Sequence, residues 1–161
     1  MEKVMQLDLD DADRQLLAAL QANARLTSSE LAQQVGLSQS PCWRRIRRLE
    51  ESGLVEGYHA RLNRRQLGYG VVAFVLVSLD FQNEARSMEF VEAVRDIPQV
   101  VMFHGITGAA DFLLMVLAED LESYSTLLQT RLHRLPGVRQ VQTSFSINEF
   151  RPLGDLPIPS A

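Results

Sequence analysis

Cysteine is nearly missing from this 161-residue sequence, with Cys42 the single example. That excludes a disulfide framework and a cysteine-rich zinc site. No export signal is expected either, because the first residues are acidic (Glu2, Asp8, Asp10, Asp11, Asp13) and hold no apolar core. Long hydrophobic runs are absent: the longest mostly apolar stretch, Val71 to Leu79, is far short of a membrane span. The expected compartment is the cytoplasm, with no membrane partner. Histidine is scarce; His59, His104 and His133 form no pair with metal-ligand spacing, and Cys42 is not near them in sequence. No Gly-x-Ser-x-Gly, phosphate-loop or dinucleotide fingerprint occurs, and Gly68-x-Gly70 lacks the third glycine and precedes a strand. The acid pairs Glu50-Glu51 and Glu119-Asp120 fall at helix ends, where capping or solvation accounts for them. No metal, cofactor or catalytic residue is expected.

What is present is an ordinary globular composition, 46% hydrophobic and 22% charged, enough for one domain or two small ones. Positive charge is short overall, and a net −4 taken alone weighs against a nucleic-acid binder. Its distribution says otherwise. Residues 1–37 carry three basic and six acidic side chains, and 63–161 carry eight and eleven. Residues 38–62 carry five arginines against three acids.

The chain reads helical up to about residue 62. Asp10 is a cap with Asp13 three residues on, and Leu16, Leu17 and Leu20 follow at helical spacing. Thr27-x-x-Glu30 is a capping box; Leu31 and Val35 face inward and Gly36 ends that short helix. Ser38 starts a third helix with Pro41 in its first turn. There Cys42, Ile46 and Leu49 make one narrow apolar stripe, with Arg44, Arg47, Arg48 and Ser40 opposite and Trp43 and Arg45 flanking. No acid occurs between Ser38 and Leu49. Gly53 closes the helix, and residues 54–62 read as two short strands around Gly57, or one bent ribbon.

Helix, capped short helix, tight turn, basic helix and ribbon make a winged helix-turn-helix. The third helix must enter a major groove, so its core face is narrow and its outer face polar and cationic. Arginine suits phosphate and the guanine edge alike, and hydroxyls at a helix N-terminus add phosphate donors. The residues expected to meet double-stranded DNA are Ser38, Gln39, Ser40, Pro41, Trp43, Arg44, Arg45, Arg47 and Arg48. Trp43 either packs at the domain edge or stacks on sugar or a thymine methyl. Mid-stripe Cys42 reads as a small buried hydrophobe.

The polar, glycine-punctuated stretch 63–70 reads as a linker. Beyond it a repeat emerges at a shift of 38 residues: Val75-Leu76-Val77 overlies Leu113-Leu114-Met115, and Ile97-Pro98-Gln99-Val100 overlies Leu135-Pro136-Gly137-Val138. Each copy is strand, helix, proline stop, strand. The expected elements are strand 71–79, helix 84–96, strands 100–106 and 111–118, helix 121–134 and strand 138–149. The whole is α+β, a winged helix-turn-helix (1–62) and a ferredoxin-like βαββαβ domain (71–150), with a proline-rich tail (151–161). Helices cover one face of such a sheet, yet the first and third strands are apolar on both sides. The open face is therefore expected to pack against another subunit. The stretch from His104 to Asp111 joins the repeat copies; it is either a hairpin turn or a small-molecule site whose two glycines admit a ligand to the backbone.

The runs Leu9-Asp10-x-x-Asp13-x-x-Leu16-Leu17, Arg25-Leu26-Thr27 and Glu30-Leu31-Ala32-x-x-Val35-Gly36-Leu37-Ser38 resemble the Lrp/AsnC (feast/famine) regulators. So does Ser40-Pro41-Cys42-x-Arg44-Arg45-Ile46-x-Arg48-Leu49-Glu50-x-x-Gly53-Leu54-Val55-x-Gly57-Tyr58. The resemblance implies a cytoplasmic, nucleoid-associated transcription regulator, dimeric through its second domain and assembling further, up to octamers. It implies an amino-acid effector held between regulatory domains of neighbouring dimers. The family's Gly-Asp-x-Asp loop aligns with Gly108-Ala109-Ala110-Asp111, so Ala109 replaces the first acid. By that match the effector residues are His104, Gly105, Thr107, Gly108 and Asp111, with Ser144 and Ser146 from the last strand. Two rivals share these features: a DNA-compacting architectural protein, and a metabolite-binding or enzymatic module on the second half.

Overall fold

Aspartate at both ends of the first helical turn closes a capping box. Asp10 accepts the Asp13 backbone N–H at 2.9 Å, and Asp13 accepts that of Asp10 at 3.2 Å. This starts α1 (Asp11–Ala22) in the computed structural model, which describes residues 8–80, 84–150 and 156–159. The N-terminal acid Glu2 and the tail stretches 151–155 and 160–161 lie outside the described residues. Two compact units emerge: one takes the chain up to Arg61 together with the stretch from Arg151, the other is Leu62–Phe150.

In the first unit, Thr27 and Glu30 form the second capping box and open α2 (Ser28–Gln34). Gly36, at φ 67°, turns the chain into α3 (Gln39–Glu51), and Gly53, at φ 76°, ends it. Both glycines sit in the left-handed region the sequence demands of them. Leu16, Leu20, Leu31, Ala32, Cys42 and Ile46 form the core, with Leu26, Val35, Leu37 and Val55 packed around it. Residues 156–159 lie along α1, where the Gln21 amide exchanges two hydrogen bonds with the Leu156 backbone at 2.8 and 3.1 Å.

The expected ribbon over 54–62 does not form; none of these residues is in a strand. A lone two-stranded ribbon is marginal in water, and here all but Val55 are exposed. The segment is tied to α3 instead. Val55 donates its N–H to the Leu49 carbonyl at 3.2 Å, and the Tyr58 hydroxyl donates to Glu50 Oε1 at 2.7 Å.

The second unit runs β1 (Val71–Leu79), α4 (Glu84–Arg95), β2 (Val100–Gly105), β3 (Phe112–Ala118), α5 (Leu121–Thr130), a 3-10 turn (Leu132–Arg134) and β4 (Val138–Phe145). The strand order is β2-β3-β1-β4, with every neighbouring pair antiparallel. This is the doubled strand–helix–strand plan of the repeat. The final helix stops early, at Thr130, and a 3-10 turn completes the expected span. The last strand ends at Phe145 rather than 149, where its pairing with β1 ends at Ala73. The stretch 63–70 coils on itself, Tyr69 donating to the Arg64 carbonyl and Leu67 to that of Asn63.

Alternation divides the sheet. Ala73, Val75, Val77, Leu114 and Val116 pack with Phe90, Val94, Tyr124 and Leu132 from the helices. Phe90, Phe103 and Phe112 cluster there with ring centroids 4.9–5.9 Å apart. The opposite face carries two cross-strand rows, Met102–Met115–Phe74–Ser144 and His104–Leu113–Leu76–Gln142. Phe74 is 38% exposed there.

Candidate DNA-binding and effector sites

α3 is built to present one face. Cys42, Ile46 and Leu49 are buried, and burial pushes the Cys42 thiol's pKa up, as befits an inert core group. Ser38 occupies the N-cap but makes no side-chain cap bond, so its hydroxyl is not spent on the helix. Ser38, Gln39 and Ser40 are exposed at the N-terminal turn and Pro41 is half-buried. Trp43 is 49% exposed, and the Arg47 guanidinium lies 5.3 Å from its ring centroid. The indole thus walls a hollow with Ile46, Leu20 and Tyr58 while keeping one side in solvent. Burial first, and the Glu50 hydrogen bond second, push the Tyr58 hydroxyl up to about 12.

The four arginines of α3 divide into two kinds. Arg45 donates through one nitrogen to Asp10 at 2.7 Å and to Asp13 at 2.9 Å, and Arg48 donates to the other Asp13 oxygen. Arg47 forms its one ion pair among the described residues with Glu51, one turn along, at 2.7 Å, and both side chains are exposed. Arg44 takes part in no ion pair among the described residues. Asp13 is the residue that sequence reasoning missed: read as a helix-start acid, its side chain is 1% exposed beneath two arginines. The Asp13 backbone N–H, then the Arg45 guanidinium, hold the Asp10 carboxyl below its ordinary range. Hydrogen bonds to Asp10 and then Asp13 raise the Arg45 pKa.

In the second unit the expected effector residues do not form one pocket within the chain. His104 and Gly105 lie on edge strand β2, and Ser144 lies on β4 at the opposite edge. Three strand spacings, about 14 Å, separate those edges. Thr107 is exposed in the β2–β3 loop, and Ser146 gives its N–H to the Val72 carbonyl at 2.9 Å. Asp111 closes the loop: its carboxylate accepts the Leu79 N–H at 2.8 Å and its carbonyl accepts that of Ile106 at 2.8 Å. Gly108 and Asp111 do line a hollow of about 310 Å³, with Ser78, Leu79, Asp80, Ala109 and Arg139. Ser78, Asp80 and Arg139 were not expected there. They meet because β1 and β4 are neighbours and pair Leu79 with Val138.

A helix-turn-helix unit with an outward cationic helix, joined to a βαββαβ sheet with one open face, defines a DNA-binding transcriptional regulator with a built-in regulatory domain. The family models for "Lrp/AsnC ligand binding domain" and "Winged helix-turn-helix DNA-binding" match residues 72–155 and 9–56. The chain is 38% identical over 148 residues to the leucine-responsive regulatory protein of Rhizobium meliloti, covering 92% of this chain and 95% of that one. It is 40% identical over 140 residues to the Bkd operon transcriptional regulator of Pseudomonas aeruginosa, covering 87% and 92%. A transcriptional regulator of Neisseria meningitidis solved in complex with L-Met superposes with a TM-score of 0.89 at 35% identity, over 93% of this chain and 97% of that one. The chain belongs to the Lrp/AsnC family of transcriptional regulators.

Proposed function

We propose that this regulator binds near-palindromic DNA as an oligomer in the cytoplasm and that an amino acid governs its assembly. The carrying observation is α3 itself: one narrow buried stripe, and an outward face of Arg44, Arg47 and Ser40 with Trp43 beside it. Ser38, Gln39, Ser40 and Pro41 meet phosphate at the helix N-terminus, and Arg44 and Arg47 meet phosphate or guanine. A dimer places two such helices in major grooves roughly 34–36 Å apart, or a multiple of that.

The regulatory site is the hollow beside Asp111. A free amino acid presents an ammonium and a carboxylate, and the hollow offers Asp80 and Asp111 for the one and Arg139 for the other. Asp80 supplies an acid where Ala109 lacks one. His104, Gly105, Thr107, Ser144 and Ser146, spread over the sheet of one chain, join the site only across a neighbouring dimer. The L-Met complex of the Neisseria relative supports this ligand class. The effector acts by binding one assembly more tightly than another. The open sheet face, with Phe74, Leu76, Leu113 and Met115, is the dimer contact, and further assembly to octamers follows from the effector-bearing edge.

Calorimetry with the common amino acids, followed by assembly mass with and without each, tests this. Heat from one or a few, abolished by Arg139→Gln and accompanied by a mass change, is the expected result. No heat and no mass change with any of them would contradict it.

A further inference from the structure

We infer that Asp13 is a charge clamp on the recognition helix, withholding Arg45 and Arg48 from DNA so that α3 offers the duplex only Arg44 and Arg47. The inference rests on α3 being the helix that meets DNA. Three observations carry it.

The first is placement. Asp13 lies under α3 with its side chain 1% exposed, and both of its oxygens are taken by arginines of that helix. Arg45 and Arg48, three residues apart, share the flank of α3 that looks towards the start of α1. Arg44, Arg47 and Ser40 share the flank away from it.

The second is balance. Asp10, Asp13, Arg45 and Arg48 form a closed group of two negative and two positive charges, joined at 2.7 and 2.9 Å through Arg45 and directly through Arg48. These separations are far inside a Debye length of about 8 Å, so a phosphate in the groove meets a neutral cluster. The salt dependence of DNA binding counts net neutralised phosphates, about 0.9 in slope for each. A neutral cluster adds nothing to that count.

The third is contrast. Arg47 is paired only with exposed Glu51, a surface pair that a phosphate displaces easily, and Arg44 takes part in no ion pair among the described residues. The clamp therefore limits affinity for arbitrary sequence and leaves binding to the two arginines that also read bases. Asp13 is a positioning residue: it touches no DNA and acts through Arg45 and Arg48.

The test is binding of the full-length oligomer to a random-sequence duplex, by fluorescence anisotropy across a salt series, for four variants. Asp13→Asn is expected to bind random DNA more tightly and to steepen the salt slope by about 1 per helix. Asp10→Asn keeps an N-cap of equal quality and unbalances the cluster by one charge, steepening it by about 1. This exposed site covers the case in which Asp13→Asn fails to fold, as judged by circular dichroism. Arg45→Gln and Arg48→Gln combined with Asp10→Asn and Asp13→Asn, which removes the cluster without changing its net charge, is expected to leave the slope as in the parent. Arg44→Gln is expected to make it shallower by about 1 per helix.

A purely structural role for Asp13 predicts weaker binding at an unchanged slope, and that result overturns the clamp. So does a charge-neutral cluster deletion as shallow as Arg44→Gln, or an Asp10→Asn slope equal to the parent's. An Arg44→Gln variant indistinguishable from the parent overturns the recognition-helix reading itself.

Discussion

At the scale of the residue, burial decides what each charge and ring can do. Asp13 and Glu51 are both acids near α3 arginines, but one is enclosed and the other solvated. Asp13 is enclosed and accepts charge-assisted hydrogen bonds from two arginines, so Asp13→Asn is expected to cost about 1–3 kcal/mol by denaturant unfolding. Glu51→Gln, at an exposed pair, is expected to change stability by less than about 1 kcal/mol. Phe90 is fully buried against Phe103 and Phe112, and Phe90→Ala is expected to cost about 3–5 kcal/mol in the same measurement. Arg44→Ala is expected to weaken operator binding with little effect on stability, by about 1–3 kcal/mol if it reads a base. An Arg44→Ala protein that loses stability and keeps its operator affinity would place that side chain in the fold and not on DNA.

At the scale of the element, helix starts were the most legible part of the sequence, since Asp10, Thr27 and Asp120 each cap through a bond formed within three residues. The same local chemistry sets a pH dependence. Backbone N–H groups hold the carboxyls of Asp10, Glu30 and Asp120 below their ordinary values of 3.8, 4.5 and 3.8. Because the folded pKa values are lowered, the caps stabilise fully above those ordinary values and lose their effect as pH falls through the folded ones. The melting temperature is expected to hold from neutrality to about pH 5 and to fall below about pH 4. A rise on acidification through that window would contradict the cap assignments. What was not legible is what depends on neighbours distant in sequence. The ribbon over 54–62 had strand-like residues, yet its best partners proved to be Leu49 and Glu50 on α3. Asp80 and Arg139 looked like unrelated surface charges until β1 and β4 became neighbours. Asp13 carried the signature of a solvated helix-start acid, because its burial comes from a helix about thirty residues away.

At the scale of the whole molecule, an overall charge of −4 and a DNA-binding role are compatible because the excess of positive charge is concentrated in residues 38–62, chiefly on α3. Arg45 and Arg48, half of the α3 arginine charge, are balanced by Asp10 and Asp13, and the proposed binding draws its affinity from several recognition helices held at the right spacing. In the proposed assembly the open sheet face holds them. Its paired rows are apolar at the centre (Phe74, Leu76, Leu113, Met115) and polar at the β4 edge (Gln142, Ser144). Met115→Glu is expected to lower the assembly mass measured by sedimentation, because a carboxylate in an apolar interface is desolvated without a partner. A parent protein already monomeric at micromolar concentration would remove the basis for that expectation. The central claim is that α3 reads particular DNA sequences through Arg44 and Arg47. Its most direct test is a genome-wide footprint of the parent protein beside the Arg44→Ala/Arg47→Ala double variant. Discrete near-palindromic sites for the parent, lost in a double variant that stays folded and assembled, are predicted. An even footprint over the genome, or one the double variant leaves unchanged, would contradict the account.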